Sequence, residues 1–175
     1  MNVVKVHNIF LIGPMGSGKS TIGRVLAKEL KLDFYDSDLM IEQRAGADIA
    51  WIFDIEGEDG FRKREQKVIE ELTLKTNIVL ATGGGAIMTP ENRNVLAARG
   101  TVIYLKTSLQ QQYERTKRDT KRPLLRTDNL IERLKDLDQE RAPYYDELAD
   151  VNFETDKLTA KLVVKNILKY IYGEL

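Results

Sequence analysis

Residues 13–20 carry the pattern that points most directly to chemistry. They read Gly-Pro-Met-Gly-Ser-Gly-Lys-Ser, which fits the spacing G-x-x-x-x-G-K-S/T. In such a loop the backbone N–H groups surround a polyphosphate, the lysine contacts its β- and γ-phosphates, and the hydroxyl binds Mg²⁺. A turn that only joins two elements is the alternative, but it needs neither lysine nor hydroxyl. The predicted nucleotide-binding residues here are Gly13, Gly16, Ser17, Gly18, Lys19, Ser20 and Thr21.

The elements on either side of this loop fit the same interpretation. Residues 9–12 are a short apolar run typical of a strand, and residues 21–30 place Ile22, Val25 and Leu26 on one helical face. The N-terminus of a helix favours anions because its N–H groups are unpaired and its dipole is positive there. The order strand, glycine loop, helix therefore predicts a nucleoside triphosphate site.

The rest of the chain alternates between strand-like and helical patterns. Further strand-like runs lie at residues 33–36, 78–81, 102–105 and 151–153. Helical patterns cover residues 39–45, 48–56, 60–74, 90–99, 130–141 and 158–172, and another helix follows Ser108. This alternation predicts an α/β fold in which a parallel sheet is covered by helices on both faces. Residues 117–127 are charged and contain Pro123, so we expect an exposed, mobile loop.

Composition narrows the possible partners. The 175 residues predict one compact domain over 1–175, and 27 basic residues balance 27 acidic ones, which argues against nucleic acid or an anionic membrane as partner. The chain has no cysteine, which excludes disulfides and thiolate chemistry. No apolar run approaches the ~20 residues that span a bilayer, and residues 1–5 lack a signal-peptide layout, so we expect a cytoplasmic protein. The single histidine, His7, is expected at the surface, leaving acid–base chemistry to carboxylates.

Polar and glycine residues follow the second and third strand-like runs. Asp36 and Asp38 come after one run, and three consecutive glycines at 83–85 come after the other. Ligands of open α/β sheets bind at the carboxyl ends of the strands. Either aspartate taken alone could equally be structural, Asp38 as the N-cap of the helix at 39–45 and Asp36 as a turn residue. The triple glycine instead suggests backbone lying close to a ligand.

Taken together, these motifs resemble those of the shikimate kinases. The stretches are Gly-Pro-Met-Gly-Ser-Gly-Lys-Ser-Thr at 13–21, Phe-Tyr-Asp-Ser-Asp at 34–38, Gly-Glu-Asp-Gly-Phe-Arg at 57–62, Ala-Thr-Gly-Gly-Gly at 81–85, Arg-Pro-Leu-Leu at 122–125 and Arg-Ala-Pro-Tyr-Tyr at 141–145. The resemblance implies a nucleoside-monophosphate-kinase-like, three-layer α/β/α fold with a five-stranded parallel sheet. It also implies transfer of phosphate from ATP to the 3-hydroxyl of shikimate, a step towards chorismate and the aromatic amino acids.

The resemblance assigns substrate roles to residues that are ordinary on pattern alone. Asp38 would take the reacting hydroxyl, and the guanidinium groups of Arg62 and Arg141 would clamp the shikimate carboxylate. The further residues that would line the substrate site are Gly84, Gly85, Phe53 and Phe61. The helices at about 39–74 would carry this site. Because cations would surround Asp38, we expect its ionised form to be favoured and Asp38 to orient the hydroxyl more than to act as a strong base.

On the nucleotide side, the resemblance adds three residues to the loop at 13–20. Arg115 would pack on adenine, and Arg122, in the lid loop at 117–127, would reach over the phosphates beside Lys19. The third strand ends without an aspartate, so the resemblance assigns the second Mg²⁺ contact, through water, to Asp36 beside Ser20. The expected catalytic residues are Lys19, Asp38 and Arg122. The lid is expected to stay open until nucleotide binds.

Two other functions fit parts of the pattern. A related kinase acting on gluconate or a nucleoside monophosphate would share the phosphate loop, and gluconate also carries a carboxylate for the arginines. Measuring the activity on shikimate against the activity on gluconate would distinguish a shikimate kinase from such a related kinase. A non-catalytic nucleotide-binding adaptor is a third possibility, although Lys19, Ser20, Asp36, Asp38 and Arg122 are all present. We expect a monomer that binds only small molecules, shikimate and Mg²⁺-ATP.

Overall fold

A computed structural model describes residues 7–174; the stretch at 1–5, on which the signal-peptide expectation depends, lies outside the described residues. Five parallel strands form one sheet: β1 (Asn8–Ile12), β2 (Asp33–Asp36), β3 (Ile78–Ala81), β4 (Thr101–Lys106) and β5 (Val151–Glu154). Their order is β2-β3-β1-β4-β5, so β1 is central. The expected five-stranded parallel sheet is confirmed.

Helices connect the strands and cover both faces. They are α1 (Lys19–Leu30), α2 (Ser37–Ala45), α3 (Ile49–Thr73), α4 (Pro90–Arg99), α5 (Leu109–Thr116), α6 (Leu130–Leu148) and α7 (Ala160–Ile171). Short 3₁₀ turns lie at Ala86–Met88 and Pro123–Leu125. No helix in residues 7–174 has both the length and the apolar character to cross a membrane.

The core consists of two apolar layers, one on each side of the sheet. Side chains alternate between the two faces of a strand, so Phe10 and Ile12 of β1 pack with α3, α4 and α6. Ile9 and Leu11 point the other way, to α1 and α7. Because all of β1 is buried, the loop that follows it starts from a rigid base. The three-layer α/β/α architecture is therefore confirmed.

Two helices differ from the prediction. α6 does not end near Arg141 but continues through Pro143 to Leu148. A proline inside a helix costs about 3 kcal/mol, and here the fully buried Tyr145 and the partly buried Leu148 offset it by packing into the core. The two helices predicted at 48–56 and 60–74 are one element, α3, with a kink at Gly57, whose φ of 74° and ψ of 178° favour glycine.

The fold places three connections at one edge of the sheet. Because β1, β2 and β3 are parallel neighbours, their carboxyl ends lie side by side. The phosphate-loop motif follows β1, the two aspartates follow β2, and the glycines at 83–85 follow β3. The strand order therefore brings these three motifs to one place.

Candidate active site

A cleft of about 480 Å³ opens at this edge of the sheet. Its walls come from the loop after β1, the start of α2, the middle of α3, the glycine turn, the lid and α6. Every site residue predicted from the sequence lines it except Gly13 and Ser17. Those two lie just beneath: a Cβ on Gly13 would be 2.6 Å from the carbonyl oxygen of Leu105, and Ser17 is buried.

The loop after β1 has the conformation of an anion site. Gly18 is the N-cap of α1 and has a φ of 86°, which turns the chain so that the helix begins at Lys19. The Nζ of Lys19 donates to the carbonyl oxygens of Gly13 at 2.6 Å and Pro14 at 2.9 Å. The lysine is therefore held within its own loop, with the unpaired N–H groups of the helix start beside it.

The pKa of Lys19 is lowered from 10.5 to about 7, mainly by burial and next by the positive charge of Arg122. Two cations held close together in a desolvated site repel each other. A polyphosphate that entered the cleft would relieve this repulsion and favour the charged lysine. The electrostatics of the loop thus match a strongly anionic ligand.

Ser20 and Asp36 form the oxygen-rich corner of the cleft. The hydroxyl of Ser20 donates to Oδ2 of Asp36, and Oδ1 of Asp36 accepts from the backbone N–H of Leu39 at 3.1 Å. Asp36 is therefore the N-cap of α2. The structural alternative that made Asp38 the N-cap is wrong, because α2 begins at Ser37, two residues earlier than a cap at Asp38 would require.

Two carboxyl groups meet next to the triple glycine. A Cβ on Gly83 would lie 2.7 Å from Oδ1 of Asp38 and 2.9 Å from Oε2 of Glu65, so a larger residue there would displace both carboxyl groups. Glu65 is fully buried and pairs with Arg62 at 2.8 Å, while its Oε2 has no hydrogen-bond partner among the described residues. Sequence reasoning missed Glu65, although its position three residues after Arg62 on one helix face was a usable signal.

The pKa of Asp38 moves opposite to expectation. This pKa is raised from 3.8 to about 7, mainly by burial and next by the negative charges of Glu65 and Asp36. These effects outweigh the opposing attraction of Lys19 and Arg122. The prediction that surrounding cations favour the ionised form is therefore wrong for the ligand-free protein, because it considered the charges and left out desolvation.

Two arginines face the glycine turn from different helices. A Cβ on Gly85 would be 2.8 Å from the Cζ of Arg62, and one on Gly84 would be 3.5 Å from Nη1 of Arg141. Arg62 already has acidic partners, but Arg141, 5% exposed, forms no ion pair within residues 7–174, and its Nε lacks a hydrogen-bond partner. A buried guanidinium without a counter-ion is strongly unfavourable unless a ligand anion supplies one.

An aromatic surface completes this half of the cleft. The rings of Phe53 and Phe61 are 4.9 Å apart and tilted by 39°. Phe61 is buried, and the guanidinium carbon of Arg62 lies 5.2 Å from its ring centre. A ligand that binds here meets an apolar wall on one side and cations at one end.

The lid is more structured than the predicted plain loop. Leu125, in the 3₁₀ turn, is buried against Leu134 and Leu137 and so anchors the C-terminal part of the lid. In the described state, Nε of Arg122 is 2.8 Å from Oδ2 of Asp119, a counter-ion within the lid itself. The prediction of an entirely exposed segment is wrong at Leu125, because the pattern of charges masked one apolar anchor.

Arg115 lies at the outer end of the phosphate loop. Its Nη1 donates to the carbonyl oxygen of Gly16 at 2.7 Å, and a Cβ on Gly16 would be 3.3 Å from its Cβ. This contact fixes α5 against the loop. Stacking of Arg115 on a nucleotide base stays a prediction.

Comparisons with known proteins agree with this geometry. The family model described as shikimate kinase matches residues 15–172. A curated shikimate kinase of Legionella pneumophila (strain Corby) is 78% identical over 174 residues, 99% of each chain. A structure of shikimate kinase from Acinetobacter baumannii in complex with shikimate has a TM-score of 0.95 at 48% identity, covering 97% of this chain and 95% of that one. A crystal structure of shikimate kinase from Aquifex aeolicus has a TM-score of 0.83 at 39% identity, covering 95% of this chain and 97% of that one.

Proposed function

The chain belongs to the shikimate kinase family, and we propose that its cleft holds ATP on the loop at 13–20 and shikimate against Arg62 and Arg141. The enzyme phosphorylates shikimate with ATP, in the biosynthesis of aromatic amino acids. The observation that carries the residue assignment is the buried guanidinium of Arg141, which forms no ion pair within residues 7–174 and lies in the same cleft as the phosphate loop.

The carboxylate of shikimate is assigned to the two arginines. A guanidinium holds a planar carboxylate through two parallel hydrogen bonds, and two such groups define the orientation of the ring. Arg141 gains the counter-ion that it lacks, whereas Arg62 shares its charge with Glu65. Phe53 and Phe61 flank the ring. This arrangement leaves the 3-hydroxyl for Asp38.

Asp38 is assigned as the general base. As the hydroxyl oxygen bonds to the γ-phosphorus, its proton passes to the carboxylate of Asp38, and the bond to the bridging oxygen breaks so that ADP leaves with the electron pair. A base works best when its pKa is near the working pH. The value of about 7, raised by burial and by Glu65, meets that condition.

Lys19 and Arg122 are assigned to the charge on the transferring phosphoryl group. Phosphoryl transfer depends mainly on positioning and on neutralising charge. On nucleotide binding, Lys19 leaves the carbonyl oxygens of Gly13 and Pro14 and binds phosphate oxygens. As the lid closes, Arg122 leaves Asp119 and binds the transferring phosphoryl group. Closure also excludes water from the reaction.

Mg²⁺ is assigned to Ser20 and Asp36, because their adjoining oxygens are the ligands that this ion prefers. Within residues 7–174 no group of three or more His, Cys, Asp or Glu side chains could hold a metal without other help. That fits Mg²⁺, which binds few protein ligands and completes its shell with phosphate and water. When bound, it neutralises phosphate charge.

Residues 1–175 form one kinase domain, in which the helices at about 39–74 bind the substrate and residues 117–127 form the lid. The enzyme acts as a monomer in the cytoplasm, with no nucleic acid or membrane partner. The monomer is supported by the cleft, because a single chain supplies every assigned residue. Light scattering coupled to gel filtration tests it, and a dimer mass would contradict it.

The function is tested by ADP release from Mg²⁺-ATP with shikimate as acceptor, and with gluconate as the matched control. We expect rapid ADP release with shikimate and only the background rate with gluconate. Arg141→Ala should lose most of the shikimate-dependent rate at low shikimate concentration. Equal rates with both acceptors would contradict the proposed acceptor specificity.

A further inference from the structure

Tyr145 is a fully buried hydroxyl-bearing residue next to the cleft, and the mechanism above does not use it. It follows Arg141 by one turn of α6, is 1% exposed, and does not line the cleft. Its ring stacks on that of Tyr104 with centroids 5.0 Å apart and an angle of 29°. An ordinary core position would be filled as well by phenylalanine, which needs no partner for a hydroxyl.

The hydroxyl of Tyr145 has a specific partner in the glycine turn. It donates a hydrogen bond to the carbonyl oxygen of Gly84. Burial raises the pKa of Tyr145 well above its ordinary value, so the phenol keeps its proton at any pH at which the enzyme works. The contact joins α6 to the part of the turn that lies between the two arginines.

The geometry of the peptide group extends this contact into the cleft. The described residues contain no cis peptide, and in a trans peptide the C=O and the following N–H point in opposite directions. Because the carbonyl of Gly84 points to α6, the N–H of Gly85 points away from α6, on the side where Gly85 lines the cleft. No acceptor for this N–H is found within residues 7–174. The guanidinium of Arg62 also lies against Gly85, where it would meet a Cβ.

We propose that Tyr145 is a positioning residue for shikimate: through the carbonyl of Gly84 it directs the N–H of Gly85 to an oxygen of the substrate. This inference rests on the proposed function of the cleft. A glycine turn has many accessible conformations, and a neighbouring helix can select one of them with a single hydrogen bond. The N–H then serves as a third donor beside Arg62 and Arg141, without a flexible side chain.

The test compares Tyr145→Phe with Tyr104→Phe. Each change removes one phenolic oxygen from the same stacked pair, but within residues 7–174 the hydroxyl of Tyr104 has no hydrogen-bond partner. We expect Tyr145→Phe to raise the KM for shikimate about three- to tenfold, the range of one hydrogen bond, with kcat and the KM for ATP changed by less than about twofold. Tyr104→Phe should leave all three unchanged.

Loss of stability in Tyr145→Phe is expected whether the hydroxyl positions the turn or only fills the core, so stability is not the readout. An unchanged KM for shikimate, or equal rises in the KM values for shikimate and ATP, would overturn the proposal. If the wild-type enzyme did not phosphorylate shikimate at all, the proposed function would fail instead, so the two failures are distinguishable.

A measurement on the wild-type protein keeps the inference testable if Tyr145→Phe does not fold. Amide hydrogen exchange followed by NMR should show the N–H of Gly85 exchanging rapidly in the free protein and at least tenfold more slowly with saturating shikimate. ATP alone should not slow it. Exchange of Gly85 that is unaffected by shikimate would overturn the proposal.

Discussion

Replacing Asp38 with asparagine should make the ligand-free protein more stable and the enzyme nearly inactive. Asparagine has the same shape but cannot ionise or accept the substrate proton. Burial and the charge of Glu65 raise the pKa of Asp38 from 3.8 to about 7. The folded protein therefore binds this proton more tightly than the unfolded chain does. The stability that the proton contributes is fully present below about pH 4 and is lost as the pH rises through about 7.

The size of the effect follows from the shift in pKa. Each unit corresponds to about 1.4 kcal/mol, so a shift of this size sets an upper limit of about 4 kcal/mol, and relaxation of the site should reduce it to about 1–3 kcal/mol. The free energy of unfolding of Asp38→Asn should exceed that of the wild type by this amount at pH 8 and should differ little from it near pH 4. Turnover should fall by about 10²–10⁴, the usual contribution of a general base.

The assay is urea unfolding of the ligand-free proteins at several pH values between 4 and 8, with ADP release measured in parallel. Asp54→Asn is the matched control, because Asp54 is exposed and its only ion pair in the described part of the chain, with Arg126 at 3.5 Å, is at the surface. Surface pairs contribute about 0–1 kcal/mol, so the control should change little. If Asp38→Asn were no more stable than the wild type at pH 8, the account of a desolvated carboxylate would be refuted; retained turnover would refute its role as base.

Four further substitutions test the remaining assignments. Lys19→Ala should abolish ADP production while circular dichroism stays native, because within residues 7–174 the Nζ of Lys19 hydrogen-bonds only to groups of its own loop; substantial residual turnover would refute its role. Arg141→Ala should weaken shikimate binding by about 2–5 kcal/mol in calorimetry and leave ATP affinity unchanged, whereas an unaltered dissociation constant would remove it from the site. Asp36→Asn should raise the Mg²⁺ concentration for half-maximal activity, and an unchanged requirement would argue against this metal site. Arg122→Ala should lower kcat by about 10³ and raise the KM for shikimate far less, while Arg126→Ala, also in the lid, should change kcat by less than about threefold; equal effects of the two would show that only the charge of the lid matters.

Local patterns in the sequence were sufficient for much of the fold. The apolar run at 78–81 became β3 with the same limits, because a buried parallel strand is recognisable from its own residues. The glycine-lysine-serine pattern likewise placed Lys19 and Ser20 correctly, since its geometry is local. The three loop ends were expected together because the carboxyl ends of parallel strands lie on the same side of a sheet, and the strand order places them next to one another.

Features that depend on tertiary contacts could not be predicted in the same way. Asp36 and Asp38 are both acceptable N-caps two residues apart, and only the actual start of α2 selects Asp36. The pKa of Asp38 depends on burial, which a list of neighbouring charges does not contain. The partner of Tyr145 is a carbonyl in a turn 61 residues away, so no spacing in the sequence indicates it.

A crystal structure of this chain with shikimate and ADP would test the central claim most directly. The account predicts the shikimate carboxylate between the guanidinium groups of Arg62 and Arg141, with the 3-hydroxyl within hydrogen-bond distance of Asp38. The β-phosphate of ADP should lie in the loop at 13–20, on the same side of the cleft as that hydroxyl. A carboxylate bound elsewhere, or a 3-hydroxyl directed away from Asp38, would contradict the assignment of the site.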